Sequence, residues 1–404
     1  MANSKAAQIQ EETIRRWGID YVCLISKDLM LLPFKFFAVG KNSIRKPYKN
    51  YKLFQYSSNN EPMKNRREFL QKSVLGIAGV LTAPAWLQGA PALIKSLGKP
   101  NSMINGVQIG CITYSYRSMA DQSAEATLKY VLDSGISSIE LMGDPAESFA
   151  GMPTPTFNRS RIFQLGGKQR RGEALTEDEK KELADLQAQS TAFNKTVADW
   201  RANADMKKFE QFGKMYKDAG VSIYAFKPNA FGTNNSDLEV VYGMRAAKAL
   251  GASHVTLEHP SNDEQTMRLG KLGEKERMAV GYHGHEQETF TFWDTALTQS
   301  TANGLNLDAG HYIAAGHADL IPLIEKQHSR ILSMHTKDRK TPTNGKGNVT
   351  WGTGDTPIGE VLQLMKKKKY AFPATIELEY QIPTGSNAVA EVQRCLEFCR
   401  EALK

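Results

Sequence analysis

From residue 107 onward the chain alternates short apolar runs with longer amphipathic ones, and the two periods separate strands from helices. The short runs are VQIGCITYSY (107–116), SSIELMG (137–143), VSIYAFKP (221–228), SHVTLEHP (253–260), MAVGYHGHE (278–286), GLNLDAGHY (304–312), ILSMHTKDR (331–339) and PATIELEY (373–380). Between them lie helix-like stretches: ATLKYVLDSG (126–135), MKKFEQFGKMYKDAG (206–220), DLEVVYGMRAAKALG (237–251), FWDTALTQS (292–300), DLIPLIEKQHSR (319–330) and PIGEVLQLMKKKKY (357–370). A last helix closes the chain in SNAVAEVQRCLEFCREALK (386–404). Several of these helices stop at glycine, and the strands are short and apolar.

Eight strands alternating with helices predict an α/β protein with a parallel sheet. Over about 300 residues the repeat fits a (β/α)8 TIM barrel, spanning residues 103–404, whose C-terminal strand ends form the site. An open doubly wound sheet is the rival, and no G-x-G-x-x-G follows the first strand to support its dinucleotide-binding form. Residues 145–200 are polar and break the rhythm. They read as a partly helical insertion after strand 2, lying over the barrel mouth.

The N-terminal quarter has a different character. MKNRREFLQKSVLGIAGVLTAPAWLQGAPA (63–92) has paired Arg66 and Arg67, then Phe69 and Leu70, then an apolar stretch and small residues. That is the layout of an export signal, with the R-R-x-F-L order of the twin-arginine type. The apolar stretch is short for a membrane span of ~20 residues. The expectation is an exported, periplasmic protein, anchored only where the signal is retained. Residues 1–62 show no periodicity and are expected to be a misassigned extension ahead of a start at Met63.

Charge follows this division. Residues 1–100 hold 16 Lys and Arg against 6 Asp and Glu, leaving 35 against 37 in the remainder. The formal net charge of +8 is therefore a property of the N-terminus. The body has no basic excess to bind a phosphate backbone. The KKKK run at 366–369 reads as a solvated helix end. Cys395 and Cys399 share a helix face and predict buried thiols rather than a disulfide framework.

All eight histidines fall between 254 and 335, and carboxylates recur at the ends of the same strands. Strand 4 ends at Glu258, strand 5 at His283 and His285, and strand 6 at Asp308 with His311. Strand 7 ends at His335 with Lys337, and strand 8 at Glu377 with Glu379. Two Glu, one Asp and one His from four strands make an oxygen-rich site with one imidazole, suited to Mn2+, Mg2+, Co2+ or Zn2+.

Taken in order, VTLEHP, GYHGHE, NLDAGHY, MHTKD, WGTGDTPIGEV and TIELEY resemble the successive strand ends of the xylose isomerase-like TIM barrel family. The resemblance covers roughly residues 107–404. It implies that Glu258, Asp308, His335 and a Glu on the last strand hold the metal. Relatives place that Glu seven residues after an aromatic, which Tyr370 and Glu377 match; Glu379 lies on the same face and is the alternative. The resemblance further implies Glu258 and Glu377 as the acid–base pair and His311 as a substrate contact, with His283, His285 and Lys337 completing a polar wall and Glu379 as a further substrate-binding residue.

The reaction implied is sugar isomerisation or epimerisation by proton transfer through a metal-stabilised enediolate. Two alternatives stand beside it. One is a metal-dependent lyase or dehydratase acting on a keto-sugar, keto-inositol or 3-keto-glycoside. The other is a noncatalytic sugar-binding barrel. The fold's nuclease branch fits poorly, because no histidine precedes residue 254 and the body is not basic. The expected partner is a small sugar or sugar derivative, with no nucleic acid and no membrane contact beyond the export signal. Homo-oligomerisation is left open.

Overall fold

The computed structural model of the protein describes residues 99–404; the expected extension (1–62) and export segment (63–92) lie outside the described residues. Nine strands make one sheet in sequence order: β1 (Met103–Ile104), β2 (Val107–Ile112), β3 (Ser138–Met142), β4 (Ser222–Lys227), β5 (His254–Glu258), β6 (Ala279–His283), β7 (Asn303–Asp308), β8 (Ile331–Thr336) and β9 (Ala374–Ile376). β1 only forms a short antiparallel flap on β2. From β2 to β9 every pairing is parallel, and β9 pairs back onto β2 through Ile109↔Ala374 and Cys111↔Ile376. The sheet therefore closes, giving the (β/α)8 TIM barrel that the alternation predicts.

Twelve α-helices are described: α1 (Ala124–Asp133), α2 (Gly143–Phe149), α3 (Arg159–Arg170), α4 (Glu177–Ala202), α5 (Met206–Asp218), α6 (Asp237–Leu250), α7 (Asp263–Glu276), α8 (Asp294–Gln299), α9 (Ala309–Ala314), α10 (Leu320–Gln327), α11 (Ile358–Lys368) and α12 (Ala388–Ala402). None of the described helices is long and apolar enough to cross a membrane. Their starts follow the capping chemistry of the sequence. Ser236 accepts from the Glu239 amide while Glu239 reaches back to Ser236, closing a box at the head of α6. Gly251 ends the same helix in the left-handed region at φ 85°.

The period of two along each strand divides two environments. On β5, Val255 and Leu257 are buried toward the helical layer, whereas His254 and Thr256 bond across the barrel lumen to Ser333 (3.0 Å) and Glu140 (2.6 Å). The apolar core thus lies between strands and helices. The lumen is filled by hydrogen-bonded polar side chains, among them the 2.7 Å Tyr224–Thr375 hydroxyl pair.

Two helices outside the insertion were not apparent in the sequence: α9, which takes up the end of the strand-like run GLNLDAGHY, and α7. α7 follows β5, and half of its 14 residues are charged, with two glycines. A Cβ at Gly270 would come within 2.5 Å of the Ser300 side chain, and one at Gly273 within 2.7 Å of the Met278 carbonyl. Both glycines are there so that the helix can lie against the β6 and β7 connections.

The insertion after β3 is more helical than expected. α4 alone runs 26 residues from a Thr176–Glu179 capping box. Its C-terminal end docks on the helical layer. Buried Arg201 donates to Glu239 (3.0 Å) and Glu147 (3.4 Å), and Trp200 meets Tyr242 edge-on. Residues 99–165 and 175–404 form one compact unit; residues 166–174 fall outside it.

Candidate functional site

Four side chains at the C-terminal strand ends converge. One donor atom each from His283, Asp308, His335 and Glu377 lies within 4.8 Å of the others, and all four residues are buried. Parallel pairing sets this up: His283 ends β6, Asp308 ends β7 and lies beside His335 of β8, and Glu377 follows β9. Nδ1 of His335 is 2.9 Å from Glu377 Oε2 and 3.8 Å from Asp308 Oδ2, and Nε2 of His283 is 4.0 Å from the same Asp308 oxygen.

A lysine ammonium stands against these oxygens. Lys337 Nζ is 2.6 Å from Glu377 Oε2, 2.8 Å from Glu379 Oε2, 3.0 Å from Asp308 Oδ2 and 3.0 Å from His311 Nε2. An ammonium has three protons, so it cannot serve all four neighbours. Asp308 Oδ2 is the one left out: it is fully buried and accepts no hydrogen bond. Burial opposes charge on Lys337, but the three carboxylates outweigh it and hold the amine well above its usual range.

Burial raises the Asp308 carboxyl, Lys337 opposes the rise and Glu377 adds to it. Beneath it, Glu288 is fully buried and pushed well above the usual carboxylate range, by burial first and then by Asp308. Burial also works against the Glu377 carboxylate, yet Lys337 and His335 hold it well below the usual range. Two imidazoles, two carboxylates and an orphaned buried oxygen fit a divalent cation. His283, Asp308, His335 and Glu377 are the residues that would hold it.

Glu258, the expected fourth donor, is not within this group, which holds His283 beside the expected Asp308, His335 and Glu377. Glu258 lies at the end of β5 with its side chain 40% exposed. Its Oε1 accepts from Lys227 Nζ at 2.8 Å, and its Oε2 is 2.8 Å from His285 Nε2. Burial opposes the charge, but Lys227 and then His283 hold the carboxyl well below its usual range. His285 responds in the opposite sense: burial would lower it, and Glu258 raises it.

The remaining expected residues lie close by. The His311 ring is 4.4 Å from that of His285, with Lys337 at Nε2 and Arg339 at Nδ1. Burial and then Lys337 lower His311 well below the ordinary histidine range, so the ring is neutral. Glu379 reaches only Lys337 and the edge of His311, farther from the donor group than Glu377.

Three participants escaped the sequence reading: Glu140, Glu288 and Arg339. Glu140 is fully buried in the lumen, 2.8 Å from His335 Nε2. Burial works to raise it, but His335 and Lys227 hold it down at about 2. Burial would in turn lower His335, and Glu140 and Glu377 raise it to about 10. The available signal was parity: in SIELM, Glu140 occupies the lumen-facing register between Ile139 and Leu141.

The site thus joins a closed barrel to a buried group of side chains that could hold a metal ion, with further carboxylates at the strand ends. Comparison with known proteins narrows this. Residues 190–402 match the model of the xylose isomerase-like TIM barrel family, and the chain belongs to that family. A search of curated proteins gave no match. Among solved structures, the chain is similar to a xylose isomerase domain protein from Planctomyces limnophilus: 14% identity, TM-score 0.48, covering 73% of this chain and 97% of that one. It is also similar to a sugar phosphate isomerase/epimerase from Parabacteroides distasonis, at 15% identity and TM-score 0.46 over 72% and 95% of the two chains. A third is D-psicose 3-epimerase with D-tagatose from Clostridium cellulolyticum, at 12% identity and TM-score 0.44 over 74% and 100%.

Proposed function

We propose that the protein is a divalent-metal-dependent sugar isomerase or epimerase that moves a proton on a carbon beside a carbonyl. The observation that carries this reading is the placement of donors and acids together. Four side chains that could hold a metal converge at the mouth, and Glu258, the last residue of β5, and Glu377, just after β9, stand on strands opposite one another in the eight-stranded barrel. Family membership supports the same class.

When bound, a divalent ion would polarise the substrate carbonyl and favour negative charge on adjacent oxygens. The protein's own residues supply the rest. Glu258 is ionised, half-exposed and anchored at both oxygens by Lys227 and His285. It is the base that takes the proton from carbon. Glu377, ionised on the opposite strand end, passes to the other side of the substrate a proton that it takes from Lys337, whose Nζ lies 2.6 Å from its Oε2. Neutral His311 hydrogen-bonds a sugar hydroxyl by exchanging its Nε2 contact with Lys337 for it, and Lys337 and Glu379 orient neighbouring ones.

A second reading is favoured by one contact. His285, raised by Glu258 and 2.8 Å from it, places a proton donor beside the base. That pairing suits loss of a hydroxyl beside the abstracted proton, as in a dehydratase on a keto-sugar. Metal content and exchange chemistry test both readings. Wild type is expected to take up one divalent ion per chain, and Asp308→Ala none. With Mn2+ in D2O, candidate sugars and keto-sugars should gain deuterium beside the carbonyl, with rearranged product for the first reading and an eliminated product for the second. Uptake of metal with no exchange on any sugar that binds would leave a noncatalytic binding barrel. Export through residues 63–92 is part of the proposal; a native N-terminus near residue 93 supports it, and native peptides from residues 1–62 refute a start at Met63.

A further inference from the structure

The polar lumen of the barrel does more than fill space. Glu140 Oε2 lies 2.8 Å from His335 Nε2 and accepts from Asn306 Nδ2 at 2.9 Å, while Thr256 donates to its other oxygen at 2.6 Å. Asn306 then uses the same amide nitrogen toward Ser333 (3.0 Å) and turns its oxygen to His283 Nδ1 at 3.1 Å. Every member of this chain is buried.

We propose that Glu140 is a positioning residue for the metal centre, fixing which nitrogen of both His335 and His283 faces the donor cluster. The argument is one of donors and acceptors. Both Glu140 oxygens already act as acceptors, Oε2 from Asn306 Nδ2 and Oε1 from Thr256, so the His335 nitrogen facing Oε2 carries the proton. Nδ1 of His335 is then the nitrogen directed at Glu377 and Asp308. The same carboxylate can only receive the NH2 end of Asn306, which forces the amide oxygen toward His283. His283 must therefore be protonated on Nδ1, leaving the Nε2 lone pair toward Asp308. One carboxylate, through one direct bond and one relayed bond, sets both imidazoles for a single cation. Metal-bound histidines generally need such a partner on the far nitrogen.

This inference rests on the metal-centre reading, and the experiment separates the two. Mn2+ is titrated into metal-free wild type and Glu140→Gln by calorimetry, with thermal stability of each metal-free protein as the control. The expected result is a Kd raised by about 10–100-fold in the variant, the usual effect of losing such a partner. Wild-type protein labelled with 15N-histidine and loaded with Zn2+ provides a readout that does not depend on the variant folding. It should show Nδ1–H at His283 and Nε2–H at His335. Equal Mn2+ affinity in a folded variant, or the reverse protonation pattern at either ring, overturns the role of Glu140. Wild type that takes up neither metal overturns the metal centre and this inference with it.

Discussion

His254 gives a sharp test of the polar lumen. It is buried in the barrel, with Nε2 3.0 Å from the Ser333 hydroxyl, Nδ1 2.9 Å from the Ser253 hydroxyl, and the Tyr224 ring stacked 6.0 Å away. Burial lowers it from 6.5 to about 4, with Glu140 opposing weakly. The unfolded chain therefore takes up a proton below about pH 6.5 that the folded chain refuses until about pH 4. The stability that neutral His254 permits is present above 6.5 and is lost as the pH falls through this window. At pH 5 the unfolded state has gained about 1.5 pH units of protonation free energy, which at roughly 1.4 kcal/mol each is about 2 kcal/mol. His254→Gln keeps a polar side chain but cannot titrate. Denaturant unfolding at pH 7 and pH 5 should show wild type losing about 2 kcal/mol more than the variant over that interval. Identical losses in the two proteins would mean that His254 is protonated in the folded barrel, and that the lumen is wetter than its packing implies.

Three other predictions follow from single contacts. Arg201→Met leaves Glu147, already raised by burial, without its cation; the barrel should lose roughly 3–5 kcal/mol by denaturant unfolding, and an unchanged midpoint would mean that α4 is not docked through this pair. Gly310→Ala places a Cβ 2.3 Å from Lys337 Cγ and 2.7 Å from its carbonyl; overpacking should cost about 1–3 kcal/mol and lower turnover as well, whereas wild-type turnover would show that Lys337 has room to shift. Lys337→Met removes the ammonium now 2.6 Å from Glu377 and 3.0 Å from Asp308. Mn2+ affinity measured by calorimetry should rise roughly tenfold or more as turnover falls, and unchanged or weaker binding would show that the ammonium does not compete with the ion.

Which parts of this were readable from the chain has a physical explanation. Strand and helix periods are local, so the eight strands and the residues at their C-terminal ends could be read from a few neighbours each. α7 escaped because its packing demands Gly270 and Gly273, the residues that weaken a helical pattern. The insertion at 145–200 was read as only partly helical because few residues of α4 are buried, leaving the Thr176–Glu179 box as the signal. The site divides the same way. Spacing delivers Asp308, His335 and Glu377 to one rim, but it does not tell which of Glu258 and His283 stands with them. That depends on how far each side chain reaches across a closed lumen. Glu140 and His335 are 195 residues apart on non-adjacent strands, and only barrel closure brings them within 2.8 Å. A polar residue in the lumen-facing register of a strand is thus ambiguous in the sequence, because its partner lies across the barrel. Glu140, Thr256, Asn306 and Ser333 look like four isolated polar interruptions of apolar strands; closed into one network, they are what aims the two imidazoles at the donor cluster.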